Sequence, residues 1–229
     1  NGFKGPVEMQ VEGLPPGVSF TPVTIPAGLN HCAVILSAEP DARIDARLVR
    51  LYGKAMIADT DGTSREVVRA ARVTCELQAS GGSQARWPIK TQIVGVTNPL
   101  DLVEFEATPS EITLRPGEKV EIKVRVKRSE EFTGPIQLAM PFLYGNSIVE
   151  DQLPPGVTMS SASKARLTEK MVEGTIILEA ATGENAPKPI TRFPIAVMGR
   201  ISMSFSISTN YASNPIRLTI AGAPANAEQ

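Results

Sequence analysis

The chain has 229 residues, 42% hydrophobic and 21% charged, and its 23 Lys and Arg against 24 Asp and Glu leave a formal net charge of −1. That balance, with a pI near 6.0, removes the long-range attraction on which nucleic-acid or membrane-surface binding depends, and no apolar run approaches the ~18–20 residues of a spanning helix. One His and two Cys, with no CxxC or CxxH pair, argue against a Cys/His zinc site, and no GxxxxGK phosphate loop is present, so no metal or cofactor is expected.

The chain opens at Asn1 with neither an initiator Met nor a basic-then-apolar leader, which reads as an internal piece or a processed chain. Phe3-Lys4-Gly5-Pro6 leads into Val7–Glu12, where Val7, Met9 and Val11 alternate with polar residues as in a half-buried strand. Leu14-Pro15-Pro16-Gly17 must turn, because proline has no amide donor and glycine supplies a positive φ. Val18-Ser19-Phe20 resumes the strand pattern. After Pro26-Ala27-Gly28, Cys32, Val34 and Leu36 share one face and Ala33 and Ile35 the other, which predicts a central strand covered on both sides. Leu48–Ile57 predicts a further strand, closed by a polar hairpin tip at Asp59-Thr60-Asp61-Gly62. Arg65–Arg72 fits a turn and a half of helix, but Val67, Ala71, Val73, Cys75 and Leu77 fit one strand face, and the strand is preferred. Gly81-Gly82-Ser83 predicts a loop, and Trp87–Val94 the last strand of a first unit, matched at the end of the chain by Asn214–Ala221.

Asn98-Pro99 begins a short link, and Leu102–Ala107 opens a second unit. Turn residues at Thr108-Pro109-Ser110 and Arg115-Pro116-Gly117-Glu118 flank a short strand of Ile112 and Leu114. In Val120–Lys127 the alternation is unbroken: Val120, Ile122, Val124 and Val126 point one way, Glu121, Lys123, Arg125 and Lys127 the other. A sheet buried on one face and wet on the other, in an antiparallel sandwich, follows from it. Thr175–Ala180, Phe193–Met198 and Ile201–Ile207 supply later strands, and Ala223–Gln229 is expected to be a tail or linker.

Two motifs return in order. Phe3-Lys4-Gly5-Pro6 and Leu14-Pro15-Pro16-Gly17 recur as Phe132-Thr133-Gly134-Pro135 and Leu153-Pro154-Pro155-Gly156, the mark of a duplicated structural unit. Domains are therefore expected at 1–98 and 99–222, with a tail at 223–229. Residues 102–128 precede the motif in the second unit and have no counterpart before Phe3, so the first unit is expected to lack its opening strands. An open sheet edge at Val7, Met9 and Val11, completed by an upstream segment of the polypeptide or a partner strand, follows from that reading.

Gly13-Leu14-Pro15-Pro16-Gly17-Val18, then Ile25-Pro26-Ala27-Gly28, then an apolar strand ending near Pro40-Asp41-Ala42, resembles the immunoglobulin-like repeats of large secreted bacterial proteins. It is closest to those of planctomycete-type proteins that also carry pre-peptidase C-terminal-type modules, and Arg65–Ala71 is similar to a segment met in the same proteins. The resemblance covers roughly residues 3–95, and 103–221 more loosely. It implies an all-β fold of two tandem immunoglobulin-like sandwiches, an extracytoplasmic location and no catalytic residue.

Within that frame the chemistry is sparse. His31 and Cys32, adjacent in a strand, would point to opposite faces and could not act together. Asp59-Thr60-Asp61-Gly62 starts like a calcium loop, but Ala70 stands where the closing Glu belongs, so a plain turn is the better reading. Cys32 and Cys75 form either a disulfide across one sandwich or two buried thiols. Lys123, Arg125 and Lys127 make a basic face interrupted by Glu118, Glu121, Glu130 and Glu131, which favours a solvated sheet surface over polyanion binding. Trp87 suits sugar stacking or a core plug, and Phe142, Leu143 and Tyr144, in a loop found only in the second unit, suit an interface or a cap on their own sandwich. The functional expectation is a non-catalytic structural or interaction module of a larger cell-surface or periplasmic assembly; an accessory carbohydrate-binding module of a secreted enzyme is the alternative.

Overall fold

A computed structural model describes residues 2–29, 31–60, 62–71, 73–78, 84–89, 92–140, 142–144, 147–202 and 208–222, with the backbone alone at 73–78, 84–86, 142–144 and 147–150. The tail at 223–229 lies outside the described residues. Among those described there is no α-helix, one 3-10 turn at Gly183–Asn185, and otherwise strands and turns. The fold is all-β. The chain divides into two compact units, 1–30 with 36–98, and 31–35 with 99–229.

The first unit contains β1 (Val7–Glu12), β2 (Val18–Phe20), β3 (Thr24–Ile25), β4 (Leu36–Ala38), β5 (Asp45–Ala58), β6 (Ser64–Ala70), β7 (Val73–Gln78), β8 (Gln84–Ile89) and β9 (Gln92–Val96). Its main sheet runs β3-β1-β5-β6, with β9 also on β5, and β2-β4 and β7-β8 are separate pairs. Fourteen residues long, β5 serves β1 and β6 along its second half and β9 along its first. The core is thin: among described residues of this unit, Val23 and Val49 are the buried aliphatic side chains, while Ile44, Leu48, Met56 and Ile93 are exposed.

The second unit contains β10 (Leu102–Thr108), β11 (Glu111–Leu114), β12 (Lys119–Arg128), β13 (Ile136–Ala139), β14 (Phe142–Tyr144), β15 (Ser147–Glu150), β16 (Val157–Met159), β17 (Arg166–Leu167), β18 (Glu173–Ala180), β19 (Ile190–Ile195), β20 (Met198–Ser202), β21 (Ser208–Ala212) and β22 (Ile216–Ile220). These form sheets β10-β12-β18-β16, β17-β13-β20-β21 and β11-β22-β19, with β14-β15 as a hairpin arm. The alternation of β12 is realised, with Ile122, Val124 and Val126 buried and Glu121, Lys123, Arg125 and Lys127 exposed. Two sheets meet face to face where glycine makes room. A Cβ on Gly174 of β18 would lie 2.7 Å from Leu138 Cδ1 and 2.9 Å from Leu167 Cδ2, and one on Gly199 of β20 would lie 2.6 Å from the Phe105 ring.

The two units share more than motifs. Strand orders β3-β1-β5-β6 and β17-β13-β20-β21 coincide, and so do the registers: Val7 opposes Ile25 as Ile136 opposes Leu167, and Met9 opposes Gly53 as Leu138 opposes Gly199. Beyond the ladders, the Met9 amide donates to Val23 O (2.9 Å) as Leu138 does to Ala165 O (2.7 Å), and Ala71 donates to Leu51 O (2.8 Å) as Ser213 does to Val197 O (2.9 Å). Each motif has a local cause. At the corners Val18 donates to Pro15 O and Val157 to Pro154 O, closing turns whose third residues, Gly17 (φ +74) and Gly156 (φ +86), adopt the left-handed backbone a type II turn requires. In the Phe-x-Gly-Pro motifs the ring folds onto the glycine, so that a Cβ would lie 2.6 Å from Phe3 Cζ at Gly5 and 2.7 Å from Phe132 Cε2 at Gly134.

Four readings of the sequence are corrected. The expected central strand at 32–36 is short and outermost: β4 starts at Leu36, pairs only with β2 among described residues, and is exposed throughout. Residues 31–35 lie in no strand and group with the second unit, where Ala33 and Ile35 are buried with Ala196. The expected last strand Trp87–Val94 is two strands, because residues 73–89 form the β7–β8 hairpin and β9 alone takes the terminal place on β5. Phe193–Met198 likewise divides between β19 and β20, and residues 203–207 of the expected Ile201–Ile207 strand lie outside the described residues. Finally, β11 runs parallel to β22, because the chain crosses between sheets at Pro109-Ser110 and arrives in the direction of the terminal strand.

Gly174→Ala is expected to destabilise the protein by about 1–3 kcal/mol in denaturant unfolding, since its methyl meets Leu138, Leu167 and the Lys164 carbonyl at once. Gly95→Ala, whose nearest neighbours lie 3.8 Å and 3.9 Å away, is expected to stay within about 0.5 kcal/mol of the parent.

Candidate functional site

The feature that sets the first unit apart is an unpartnered strand edge. Strand β4 pairs with β2 in the register Val18–Ala38, Ser19–Ser37, Phe20–Leu36, and Glu39 donates to Gly17 O (2.8 Å). In the second unit β18 pairs with β16 in the register Val157–Ala180, Thr158–Glu179, Met159–Leu178, and Ala181 donates to Gly156 O (2.8 Å). The difference lies on the other side. There β18 carries β12 along Glu173–Glu179, while β4 carries no second strand among the described residues.

Alternation of the ladder fixes which groups this leaves facing outward. Bonds from Glu39 to Gly17 and from Ala181 to Gly156 place odd-numbered residues toward β2 and β16. The Ala180 amide donates the other way, to Glu118 O at 3.0 Å. By the same alternation the amides and carbonyls of Leu36 and Ala38 face away from β2. The side chains follow suit: Leu178 is fully buried at 0% exposure and Leu36 is 36% exposed.

The edge expected at Val7, Met9 and Val11 is covered at Val7 and Met9. These residues are half-buried, β5 pairs along Glu8–Glu12, and β3 opposes Val7 and Glu8 on the other side, with the Val23 carbonyl taking the Met9 amide. Strand β3 is the reason: it folds back over the start of β1.

The remaining candidates are dispersed. Cys32 carries a free thiol and lies in the run grouped with the second unit, while Cys75 lies on β7 of the first with its side chain outside the described set. No disulfide involving Cys32 is formed, and burial pushes its thiol up to about 11. Asp59 closes a turn with Gly62 and Thr63, and its carboxylate pairs with Arg65 at 3.1 Å; no group of three or more metal-ligating side chains occurs among the described residues. On the basic face of β12, Lys127 pairs with Glu104 at 3.1 Å, and at the start of the strand Lys119 pairs with Glu179 at 2.9 Å. Trp87 is 48% exposed, so it is no core plug.

Phe142, Leu143 and Tyr144 form one arm of the β14–β15 hairpin, with side chains outside the described set. The base of that arm is held by a residue the sequence reading passed over. Gln152, 1% exposed, donates from Nε2 to Met140 O and Ala196 O, and accepts the Ala196 amide at 2.9 Å on Oε1. Its side chain replaces a missing stretch of ladder, a role that nothing in the sequence around it signals.

No family model matches the chain, and no curated protein matches it. Among solved structures it is similar to the S-layer protein SbsC domains 4 and 5, at 11% identity and a TM-score of 0.28, covering 93% of this chain and 77% of that one.

Gln152→Met keeps the volume and strands two carbonyls and an amide, so it is expected to cost at least about 2 kcal/mol in denaturant unfolding. Only the thiolate is alkylated, so raising the Cys32 pKa leaves about a hundredfold fewer reactive ions at pH 8 than an ordinary thiol has. Peptide-resolved iodoacetamide labelling of the native protein should find Cys32 slow at pH 8, with a rate that climbs as pH approaches 11.

Proposed function

We propose that this chain is a pair of tandem immunoglobulin-like β-sandwiches, at 1–98 and 99–222, forming a non-catalytic structural or interaction module of a larger extracytoplasmic assembly at a cell surface or in a periplasm. The observation that carries the interaction role is the contrast between matched positions. Ile136, Leu138, Leu167 and Leu178 are all at 0% exposure, whereas Val7, Met9 and Ile25 are half-buried and Leu36 is exposed. A sandwich built to stand alone would bury these positions; one that receives a further strand leaves them for its partner. Shared strand order and register support the duplication, and the extracytoplasmic location rests on the sequence resemblance.

The exposure of Trp87 favours one second reading, an accessory carbohydrate-binding module. Pull-down on insoluble polysaccharides separates the two: saturable binding lost on Trp87→Ala is the outcome for a sugar module, and no saturable binding is the outcome for the first reading. Limited proteolysis of the native chain should cut within 1–98 well before 99–222, since the thin core of the first unit opens more easily; initial cuts within 99–222 would count against this reading.

A further inference from the structure

We infer that β9 is the strand through which this chain pairs with a second copy of itself, edge to edge and antiparallel, with Val94 on the twofold axis. The inference goes beyond the interaction reading: it concerns a different edge from β4 and stands on the β5–β9 ladder alone. Ladder geometry carries the first step. A Cβ on Gly13, which follows β1, would lie 2.8 Å from Leu48 O and 3.8 Å from Val49 Cα, so β9, opposite Val49–Asp45, takes the side of β5 away from β1, in line with β6. On that side the odd residues of β5 bond: Leu51 O accepts the Ala71 amide at 2.8 Å, and Asp59, just past the strand, donates to Thr63 O at 2.8 Å. Alternation then bonds Gln92, Val94 and Val96 to β5 and turns the amides and carbonyls of Ile93 and Gly95 outward. The exposed Gln92 side-chain amide reaches the Ile93 carbonyl at 3.2 Å, and among the described residues no strand but β5 pairs with β9.

Side chains carry the second step. Further along the same margin, β6 holds Arg65, Glu66 and Arg69, charges that a pairing strand would have to desolvate. Residues 92–96, Gln-Ile-Val-Gly-Val, hold none. Leu48 and Ile93 stand directly opposite each other and are 62% and 63% exposed, so an apolar pair lies on the sheet surface beside the open edge.

Self-complementarity selects the occupant. In twofold register, Ile93 of each copy stands opposite Gly95 of the other and Val94 opposite Val94, and four backbone hydrogen bonds close, two for each Ile93–Gly95 pair. Each Ile93 side chain then lies beside a position that has none. A Cβ at Gly95 would find nothing in its own chain nearer than 3.8 Å, so that place is open. The charges opposite β9, Asp45 and Arg47, are paired with each other at 2.8 Å, so a second copy brings no unmatched charge to the contact, whereas a charged partner strand finds no counter-charge there. Two strands of five residues bury less than the ~1,200 Å² of a lasting interface, so the dimer is weak, half formed at roughly 0.1–1 mM.

The test follows sedimentation equilibrium of the chain from about 10 μM to about 1 mM. The expected result is a monomer–dimer equilibrium in that range, weakened at least about tenfold by Ile93→Lys, which puts a charge on the edge at an exposed position and leaves the unfolding midpoint unchanged. Mild oxidation reads the register. Twofold pairing sets the two Val94 Cα atoms ~4.5 Å apart, within disulfide reach, and the two Gln92 Cα atoms about 13 Å apart, outside it. Val94→Cys is therefore expected to link two copies through the introduced thiols at least about tenfold faster than Gln92→Cys, with the linked peptides identified by mass spectrometry. A parent that stays monomeric to about 1 mM, association untouched by Ile93→Lys, or equal linking by the two cysteine variants each overturns the proposal. Association lost on Leu36→Lys instead moves the contact to β4, which overturns this edge and leaves the interaction reading standing. Protection of the Ile93 and Gly95 amides from exchange in the dilute monomer identifies a cover from within the chain, and that too overturns the proposal.

Discussion

A strand inside a sheet has two rows of backbone groups, and both must find partners when water is excluded. In the second unit β18 satisfies this in full, with odd residues on β16 and even residues on β12. That double pairing lets β18 sit at the centre of the unit. Its glycine at 174 lies flat enough for Leu138 and Leu167 of the facing sheet to close on it, and Ile176 and Leu178 disappear from solvent. The matching strand of the first unit, β4, has only β2 among the described residues. Three residues of strand survive there, and the five before them lie in no strand.

What the sequence disclosed, and what it withheld, follows the same division. Pro-Pro-Gly and Phe-x-Gly-Pro were legible because each is a local device: a turn closed within four residues, and a ring resting on a glycine two positions away. The alternation in Val120–Lys127 was legible because one face of β12 is buried and the other wet. Neither periodicity nor turn chemistry says whether a strand has one neighbour or two, so the apolar run Cys32–Leu36 read as a central strand, whereas only Leu36 enters one, paired with β2 alone among the described residues. The Ile-Leu-x-Ala pair at 35–38 and 177–180 was the available signal, and it is silent about the absent neighbour. Pro88-Ile89 and Pro215-Ile216 misled in another way. The likeness is real, but the β7–β8 hairpin pushes the terminal strand to Gln92–Val96, where pairing with β5 decides the register.

Ion pairs offset part of the charge on the exposed strands of the second unit. Lys119, Lys127 and Arg192 each reach a carboxylate, on Glu179, Glu104 and Glu111. Exposed pairs of this kind add little stability, but each offsets a cation next to the strand that carries it. Lys119 on β12 pulls the Glu179 carboxyl below its usual range, and the Ser160 hydroxyl adds to that shift. In the first unit the residue matched to Glu179 is Ser37, which has no charge with which to steer or repel a strand.

Energetic scale connects this edge to behaviour. Fully burying a leucine is worth roughly 1.5–3 kcal/mol, so a side chain left a third exposed forfeits something under ~1 kcal/mol. Leu36 is such a case, and Val7, Met9, Ile25 and Leu51 are half-buried where the matched Ile136, Leu138, Leu167 and Val197 are fully buried. Together they forfeit several kcal/mol, of the same order as the ~5–15 kcal/mol that separates a folded domain from its unfolded chain. The first unit therefore keeps a smaller share of its margin than the second, and local opening in its sheets costs less.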